Sequence, residues 1–477
     1  MLRKMPGAEV QGVVSTTPDT AVVFSPTVMK TPAIVVIVVW LWRLVAGAVK
    51  TVWRHPVACS LIGGTAGLVY LLGWQTAMLV WGSGASGVSF WAGLWPAAGM
   101  HWVVWPALSW WRWVWVYRRK WRSVVAVAGL GRVVRGRGYA PDLVRVVSDA
   151  WADRVTVKML DGQSDEEYAD AQAGLAHGFG AVGCRIASPK PGWVVLTFPR
   201  RDALVKVVPA RPYPDAPVVT TVDVGMGENG RPYRLQVHGT HVLIAGATGA
   251  GKGSWLWSVV RGLLPARRVG LVRLWALDPK RMELSFGRAL FDRYAATPED
   301  CAELLEQAVK VMQERADRYA GVRRSHVPTE RDPFILVIVD EVAFLTAYQP
   351  DKALRARIMA ALATLTTQGR AVGVGVLAAL QDPRKDVLSI RNLFPDRVAL
   401  RLDEPEQVDM VLGDGARDRG ALADHIARDP SDPSVGAGVG YVRLENAPDP
   451  IRVRAAYVCD DDIRQMVIRY SSVSEAV

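Results

Sequence analysis

The sequence predicts an α/β protein with a mainly parallel sheet, preceded by a helical transmembrane region and a small α+β module, on three observations. From Val218 onward short apolar runs alternate with longer helical ones, the pattern of a parallel sheet wrapped by helices. From Pro56 to Trp111 there is no Lys, Arg, Asp or Glu. Between these regions, from Tyr139 to Ala210, the pattern shifts to short strands around one helix. A chain of 477 residues has room for about three such domains.

Residues 1–30 are expected to be a flexible N-terminus without a cleavable signal peptide. The transmembrane region with its basic flank is placed at 31–122. No acidic residue occurs from Ala21 to Pro141, yet twelve of the 57 Lys and Arg lie there, and the other 45 are matched by 46 acidic residues. The net charge of +11 therefore belongs to the N-terminal quarter and is not a global signature of nucleic-acid binding. Fourteen of the nineteen Trp precede residue 122, as expected for rings at headgroup depth.

The uncharged stretch accommodates two spans of about 20 residues. They are placed near Pro56 to Trp81 and Val88 to Trp111, with Gly82-Ser-Gly-Ala-Ser-Gly87 as the turn of a hairpin. A soluble helical pair would keep a polar face, and this stretch has none. The earlier apolar run from Pro32 to Val49, interrupted by Arg43, is either a third span or an interfacial helix. Arg118-Arg-Lys-Trp-Arg122, with Arg132, Arg135 and Arg137, puts that end in the cytoplasm by the positive-inside rule; Arg43, Lys50 and Arg54 agree. The expected location is the plasma membrane, multi-pass, with everything after residue 118 facing cytosolic ATP.

The α+β module covers 139–210, with strands at Val155 to Leu160 and Gly192 to Phe198 and a helix from Ser164 to His177. Arg211-Pro-Tyr-Pro-Asp-Ala-Pro217 reads as a stiff linker. The sheet domain is placed at 218–461 and a tail at 462–477. Its strands are expected at His241 to Ala245, Leu271 to Ala276, Phe334 to Asp340, Gly373 to Leu380 and Arg397 to Leu402. Helices are expected from Lys252, from Pro298 to Arg323 with Leu305, Val309, Met312 and Ala316 on its packed face, and from Lys352 to Gln368. Four well-separated Cys with no C-x-x-C pair, and seven His without ligand spacing, argue against a zinc site or disulfide framework.

The strand at His241 to Ala245 runs into Gly246-Ala247-Thr248-Gly249-Ala250-Gly251-Lys252-Gly253-Ser254, a P-loop. Its backbone N–H groups turn inward to cradle a β-phosphate, and Lys252 neutralises the β/γ oxygens, so ATP is the expected ligand. Downstream, Phe-Ile-Leu-Val-Ile-Val ends in Asp340-Glu341, the Walker B pattern of a buried strand. Asp340 is expected to hold Mg²⁺ and Glu341 to orient or deprotonate the attacking water. P-loops usually place Ser or Thr after the lysine as a Mg²⁺ ligand, whereas here that position is Gly253. Either Ser254 reaches the metal or water replaces the hydroxyl.

With these motifs in place, the region from Arg231 to Asp461 resembles the FtsK/SpoIIIE motor domain, a hexameric RecA-like DNA translocase. Leu277-Asp-Pro-Lys-Arg-Met-Glu-Leu284 looks like that family's Asp-Pro-Lys-x-x-Glu-Leu segment. Leu380-Gln-Asp-Pro383 is similar to its Gln-containing strand end, and Asn392-Leu-Phe-Pro-Asp-Arg397 and Gly415-Ala416 complete the order. The Gly-Lys-Gly-Ser loop looks like the branch of membrane-anchored conjugative Tra proteins of actinomycete plasmids and integrative elements. The expected domain is then a RecA-like P-loop motor; the winged-helix DNA-reading domain and long linker of chromosome-segregating members are expected to be absent.

The resemblance implies a homo-hexamer on the lipid bilayer that moves double-stranded DNA. Lys252 and the loop amides would hold phosphates, Asp340 and Ser254 the metal, Glu341 the water, and Gln381 would sense the γ-phosphate. Arg391 and Arg397 are open candidates for the arginine that completes a neighbour's site. Arg384-Lys385 and Arg391 are candidate DNA contacts, which would be largely sequence-independent. Competing expectations are a type VII secretion-like protein-export ATPase, a chromosome-partitioning translocase, and a tethered nucleotide-binding regulator, the last disfavoured by the Asp340-Glu341 pair.

Overall fold

The computed structural model describes Tyr70 and residues 101–134, 136–384 and 389–471. The expected spans at Pro32 to Val49 and Pro56 to Trp81 (Tyr70 excepted), the turn at Gly82 to Gly87 and the first part of Val88 to Trp111 lie outside these residues, as does Lys385. Among the described residues no helix is long and apolar enough to cross a membrane. These residues form two compact units, divided between Arg201 and Asp202.

In the first unit a helix runs as α1 (His101–Arg112), passes through a π-helical stretch (Trp113–Arg118) and ends as α2 (Arg119–Val127). A short hairpin, β1 (Arg132–Val134) and β2 (Arg137–Tyr139), leads to β3 (Asp142–Ser148) and β4 (Ala152–Lys158). α3 (Asp165–Asp170), α4 (Gln172–Phe179), β5 (Arg185–Lys190) and β6 (Trp193–Pro199) follow, and the antiparallel sheet has the order β3-β4-β6-β5. Val155, Val157, Val194, Leu196 and Phe198 face one side of the sheet and pack with Tyr117, Trp121 and Phe179.

β4 and β6 stand where the two strands are expected. The single helix from Ser164 to His177 instead breaks at Ala171 into α3 and α4. β3 and β5 escape the sequence reading; β5 exposes four of its six residues and so lacks a strand's alternation. The fully buried Asp153 closes a polar cluster, accepting from Tyr117 Oη at 2.9 Å and Ser148 Oγ at 2.7 Å and pairing with Arg112 and Arg200. A buried carboxylate survives only with such partners.

The second unit is built from β7 (Val208–Pro209), β8 (Thr221–Gly227), β9 (Pro232–Gln236), β10 (Val242–Ala245), α5 (Lys252–Arg268), β11 (Val272–Leu277), β12 (Arg293–Ala295) and α6 (Pro298–Tyr319). There follow β13 (Phe334–Val339), α7 (Val342–Leu345), α8 (Lys352–Gln368), β14 (Val374–Leu380), β15 (Asp396–Leu400), α9 (Pro405–Leu412), β16 (Val439–Leu444), β17 (Ala447–Tyr457) and α10 (Asp460–Tyr470). The sheet runs β12-β11-β13-β14-β10-β15-β16-β17-β8-β9, with β7 beside β17. Pairing is parallel from β12 to β15 and antiparallel from β15 to β9.

Every residue of β10, β13, β14 and β15 is buried, which is why β10, β13 and β14 read as unbroken apolar runs, while β15 also buries Asp396 and Arg397 at its start. Alternate side chains feed two cores. Leu243, Ala245, Val337 and Val339 join Leu305, Met312, Leu362 and Leu365 on one face; Val242, Ile244, Leu336 and Ile338 join Trp255, Trp257, Leu263 and Met466 on the other. The packed face of α6 is rotated from the expected one: Cys301, Leu305, Ala308, Met312, Arg315 and Tyr319 are buried, whereas Ala316 is exposed. Burial of Arg315 explains the error, since a hydrophobicity count places a charged residue outside. In the segment read as a linker, Arg211 pairs with Asp223, and Tyr213 lies against both Arg261 and Arg469.

Candidate active site

Four adjacent parallel strands converge on one cleft. β10 lies between β14 and β15, with Ala245 registered against Leu380 on one side and Ala399 on the other, and β13 pairs β14. The residues just past these strand ends, Gly246, Gln381, Arg401 and Asp340, therefore gather at one edge of the sheet. The cleft there, of about 610 Å³, is lined by Thr248, Gly249, Gly251 to Ser254, Lys280, Glu283, Asp340 and Gln381 among others.

The P-loop is held from both sides. Its Gly246 N–H donates to Leu380 O at 3.0 Å and Ala247 N–H to Arg401 O at 2.8 Å, while Arg401 Nη2 donates to Thr248 O at 2.7 Å. Gly251 has φ of +94°, and a Cβ there would lie 2.3 Å from Gly438 N, so only glycine fits both the conformation and the contact. Gly438 N–H in turn donates to Ala250 O at 2.9 Å, and its carbonyl accepts from Trp255 Nε1 at 3.0 Å. Neither Arg401 nor the Gly436-Ala-Gly438 turn stands out in the sequence as part of a site; the glycine repeat was the available signal.

Lys252 Nζ donates to the carbonyls of Gly246 at 2.7 Å and Ala247 at 3.2 Å. Burial pushes its pKa down to about 8, with Glu341 opposing and Lys280 adding to the fall. Asp340 is pushed up to about 7 by burial and by the charges of Asp278 and Glu283. Glu341 is buried; its Oε2 accepts from Lys280 Nζ at 3.1 Å and its Oε1 from the Gln381 N–H at 3.3 Å. Gln381 Oε1 accepts from Thr248 Oγ1 at 3.2 Å, tying the end of β14 to the P-loop. Lys280 is a partner that the motif reading quotes without assigning it a role.

Asp278, Glu283, Asp340 and Glu341 thus stand near two lysines; burial first, and then the neighbouring carboxylates, push Asp340 and Glu283 up. Among the described residues no three of these side chains group to hold a metal ion by themselves; one or two such oxygen donors beside a helix N-terminus suit a triphosphate that brings Mg²⁺ with it. The far wall, with Val207, Pro433, Ala437 and Tyr457, offers apolar surface of the kind a flat base needs.

Of the expected site residues, Thr248, Gly249, Gly251 to Ser254, Asp340 and Gln381 line this cleft; Gly246, Ala247 and Ala250 belong to the same loop, and the buried Glu341 adjoins it through Lys280 and the Gln381 N–H. The arginine candidates do not. Arg397 is buried and donates to the carbonyls of Phe394, Val411 and Asn392, which is the bonding of a structural residue. Arg384 pairs with Asp382 within its own loop. Arg391 lies beyond the amino end of β15, and its buried Nε and Nη1 find no partner among the described residues.

Residues 203–329 match the FtsK/SpoIIIE family. The chain is similar to the DNA translocase FtsK of Tropheryma whipplei, 27% identical over 54% of this chain and 35% of that protein. It is similar also to that of Halalkalibacterium halodurans, 25% identical over 61% of this chain and 38% of that one. It spans little more than a third of the length of these curated relatives. Among solved structures it resembles the pCW3 conjugation coupling protein TcpA with ATPγS, at 19% identity, 74% and 98% coverage and a TM-score of 0.47. The cytoplasmic domain of the Thermomonospora curvata type VII secretion ATPase EccC aligns at 22% identity, 54% and 32% coverage and a TM-score of 0.40.

Proposed function

From the premise that residues 203–329 carry a domain of the FtsK/SpoIIIE family of P-loop ATPases, we propose that this protein is a membrane-anchored, ATP-driven translocase of double-stranded DNA. The observation that carries the reading is the assembly of Lys252, Asp340, Glu341 and Gln381 around one cleft within the region that resembles that family's motor. The Gly-Lys-Gly-Ser variant of the loop favours conjugative transfer of a plasmid or integrative element over chromosome partitioning. The uncharged stretch from Pro56 to Trp111 and its basic flank supply the anchor. Function as a homo-hexamer, with ATP at subunit interfaces, is part of the proposal.

In this scheme Lys252 exchanges the carbonyls of Gly246 and Ala247 for the β/γ-phosphate oxygens, while the loop amides hold the β-phosphate. Mg²⁺, held by Asp340 with Ser254 at the cleft wall, would neutralise charge developing on the phosphates. Glu341, fixed by Lys280 and the Gln381 N–H, holds and polarises the attacking water. Gln381, bonded to Thr248, transmits the state of the γ-phosphate to the end of β14. DNA contact is made mainly to phosphates and is therefore weakened by salt.

The test is ATP turnover by the full chain in lipid nanodiscs. Linear double-stranded DNA is expected to raise the rate several-fold. A rate indifferent to DNA but raised by a secreted protein would replace this reading with protein export.

A further inference from the structure

The glycine that follows the P-loop lysine has a structural cause. A Cβ added to Gly253 would lie 2.1 Å from Glu283 Oε1 and 2.6 Å from its Cδ, so a side chain at 253 and the Glu283 carboxylate compete for one volume. In a P-loop with Ser or Thr after the lysine, that volume belongs to the metal-ligating hydroxyl. Ser254 sits one residue further on, about 100° around the helix axis.

The chain builds Glu283 into this place. Arg281 is, among the described residues, the one non-glycine residue at positive φ, +57°. The turn it makes is fastened by Asp278, whose carboxylate accepts from the N–H groups of Met282, Leu284 and Ser285. Trp257 Nε1, one turn into α5 from Gly253, donates to Glu283 Oε1 at 3.0 Å and fixes the carboxylate against the helix start. Glu283, Gly253 and Asp340 line the same cleft.

We propose that Glu283 faces the divalent cation in place of the hydroxyl missing at position 253, so that Gly253 and Glu283 act as one exchanged pair. The idea rests on the nucleotide reading above and deepens it. An anionic donor replaces a neutral one, so nucleotide affinity should depend on the cation more steeply than in a Ser/Thr loop: without the cation, the extra carboxylate repels the triphosphate.

The experiment uses the full chain in nanodiscs and a fluorescent, non-hydrolysable ATP analogue, titrated with Mg²⁺ and with EDTA. Mn²⁺ affinity of the analogue complex is read separately by electron paramagnetic resonance. In wild type Mg²⁺ should tighten the analogue strongly. Glu283→Gln, which keeps an acceptor for Trp257, and Glu283→Ala should each cut that tightening, and the Mn²⁺ affinity, at least tenfold. Gly253→Ser added to Glu283→Ala should restore most of both. If both Glu283 variants keep wild-type cation dependence within twofold, or if the added serine restores nothing, the pairing is overturned while nucleotide binding stands. If wild type binds no analogue with or without Mg²⁺, the nucleotide reading itself falls.

Discussion

At the amino ends of β13 and β14 the buried charges of Asp332 and Arg315 are paired with each other and with hydrogen-bonding neighbours, whereas at the carboxyl ends like charges are crowded together. Asp332, just before β13, pairs with Arg315 at 2.8 Å and Arg323 at 2.8 Å and accepts from Tyr319. Burial would raise its pKa, but the Tyr319 hydroxyl and the arginine charges hold it below the usual carboxylate range. Arg315 also donates to the carbonyls of Val372, Gly373 and Pro333, and His326 bridges His238 and the Asp332 carbonyl. At the other edge Asp340 is pushed up to about 7 and Lys252 down to about 8, each largely by burial. One edge uses charge to hold the sheet together; the other keeps charge in a state that a ligand would relieve.

If that division is right, variants at the two edges fail in opposite ways. The largest effect belongs to Lys252→Ala: analogue binding and ATP turnover should fall below detection, with no loss of thermal stability, because a desolvated charge has been removed. Glu341→Gln comes next. It should bind ATP like wild type and turn over about three orders of magnitude more slowly, the middle of the range for a positioned general base. Single-turnover kinetics after rapid mixing separates binding from cleavage, and full activity in this variant would reassign the water-positioning role.

Arg315→Ala is the mirror experiment. It strips four partners from a buried guanidinium network and leaves Asp332 short of one of its two nearest cations, a loss of about 3 kcal/mol for a broken buried pair. Hydrogen exchange in β13 and β14 should rise accordingly, while the folded protein keeps its nucleotide affinity. A variant that stays rigid but binds nucleotide poorly would erase the distinction between the edges.

The same division explains what the sequence discloses. The central parallel strands β10, β11, β13 and β14 are legible to within a residue because burial leaves an apolar run bounded by polar groups, and Lys352–Gln368 is read from its pattern; the short, partly exposed edge strand β12 is missed. The loop and Walker residues are legible because phosphate binding demands particular residues at fixed spacing. The antiparallel extension is not: β17 runs through Pro448, Asp449 and Pro450, which read as a turn, yet it pairs β16 and β8. Arg401 and Gly438 brace the P-loop from 150 residues or more away, and no local pattern announces a contact of that kind. The displacement of residue 253 by Glu283 is likewise a matter of shared volume, visible only when both are placed in space.

His241 is the exception that tests the amino edge most finely. It is fully buried at the entrance to β10; its Nδ1 accepts from the Val376 N–H at 3.0 Å, and its Nε2 has no partner among the described residues. Burial, reinforced by Arg370, pushes its pKa down to about 3 from the ordinary 6.5. Below pH 6.5 the unfolded chain takes up a proton that the folded chain refuses, so stability falls as pH drops from 6.5 toward 3 and is fully present above that window. Between pH 7 and 5 this amounts to about 2 kcal/mol. His241→Asn keeps an acceptor for Val376 and deletes the titration, so hydrogen exchange in β10 and β14 should lose about that much of its pH dependence relative to wild type. The remaining dependence should carry the His326 contribution, since His326 is also held low, at about 4, mainly by burial. An unchanged pH profile in His241→Asn would mean that water reaches this edge, and that its charges are matched by solvent and not by the closed network.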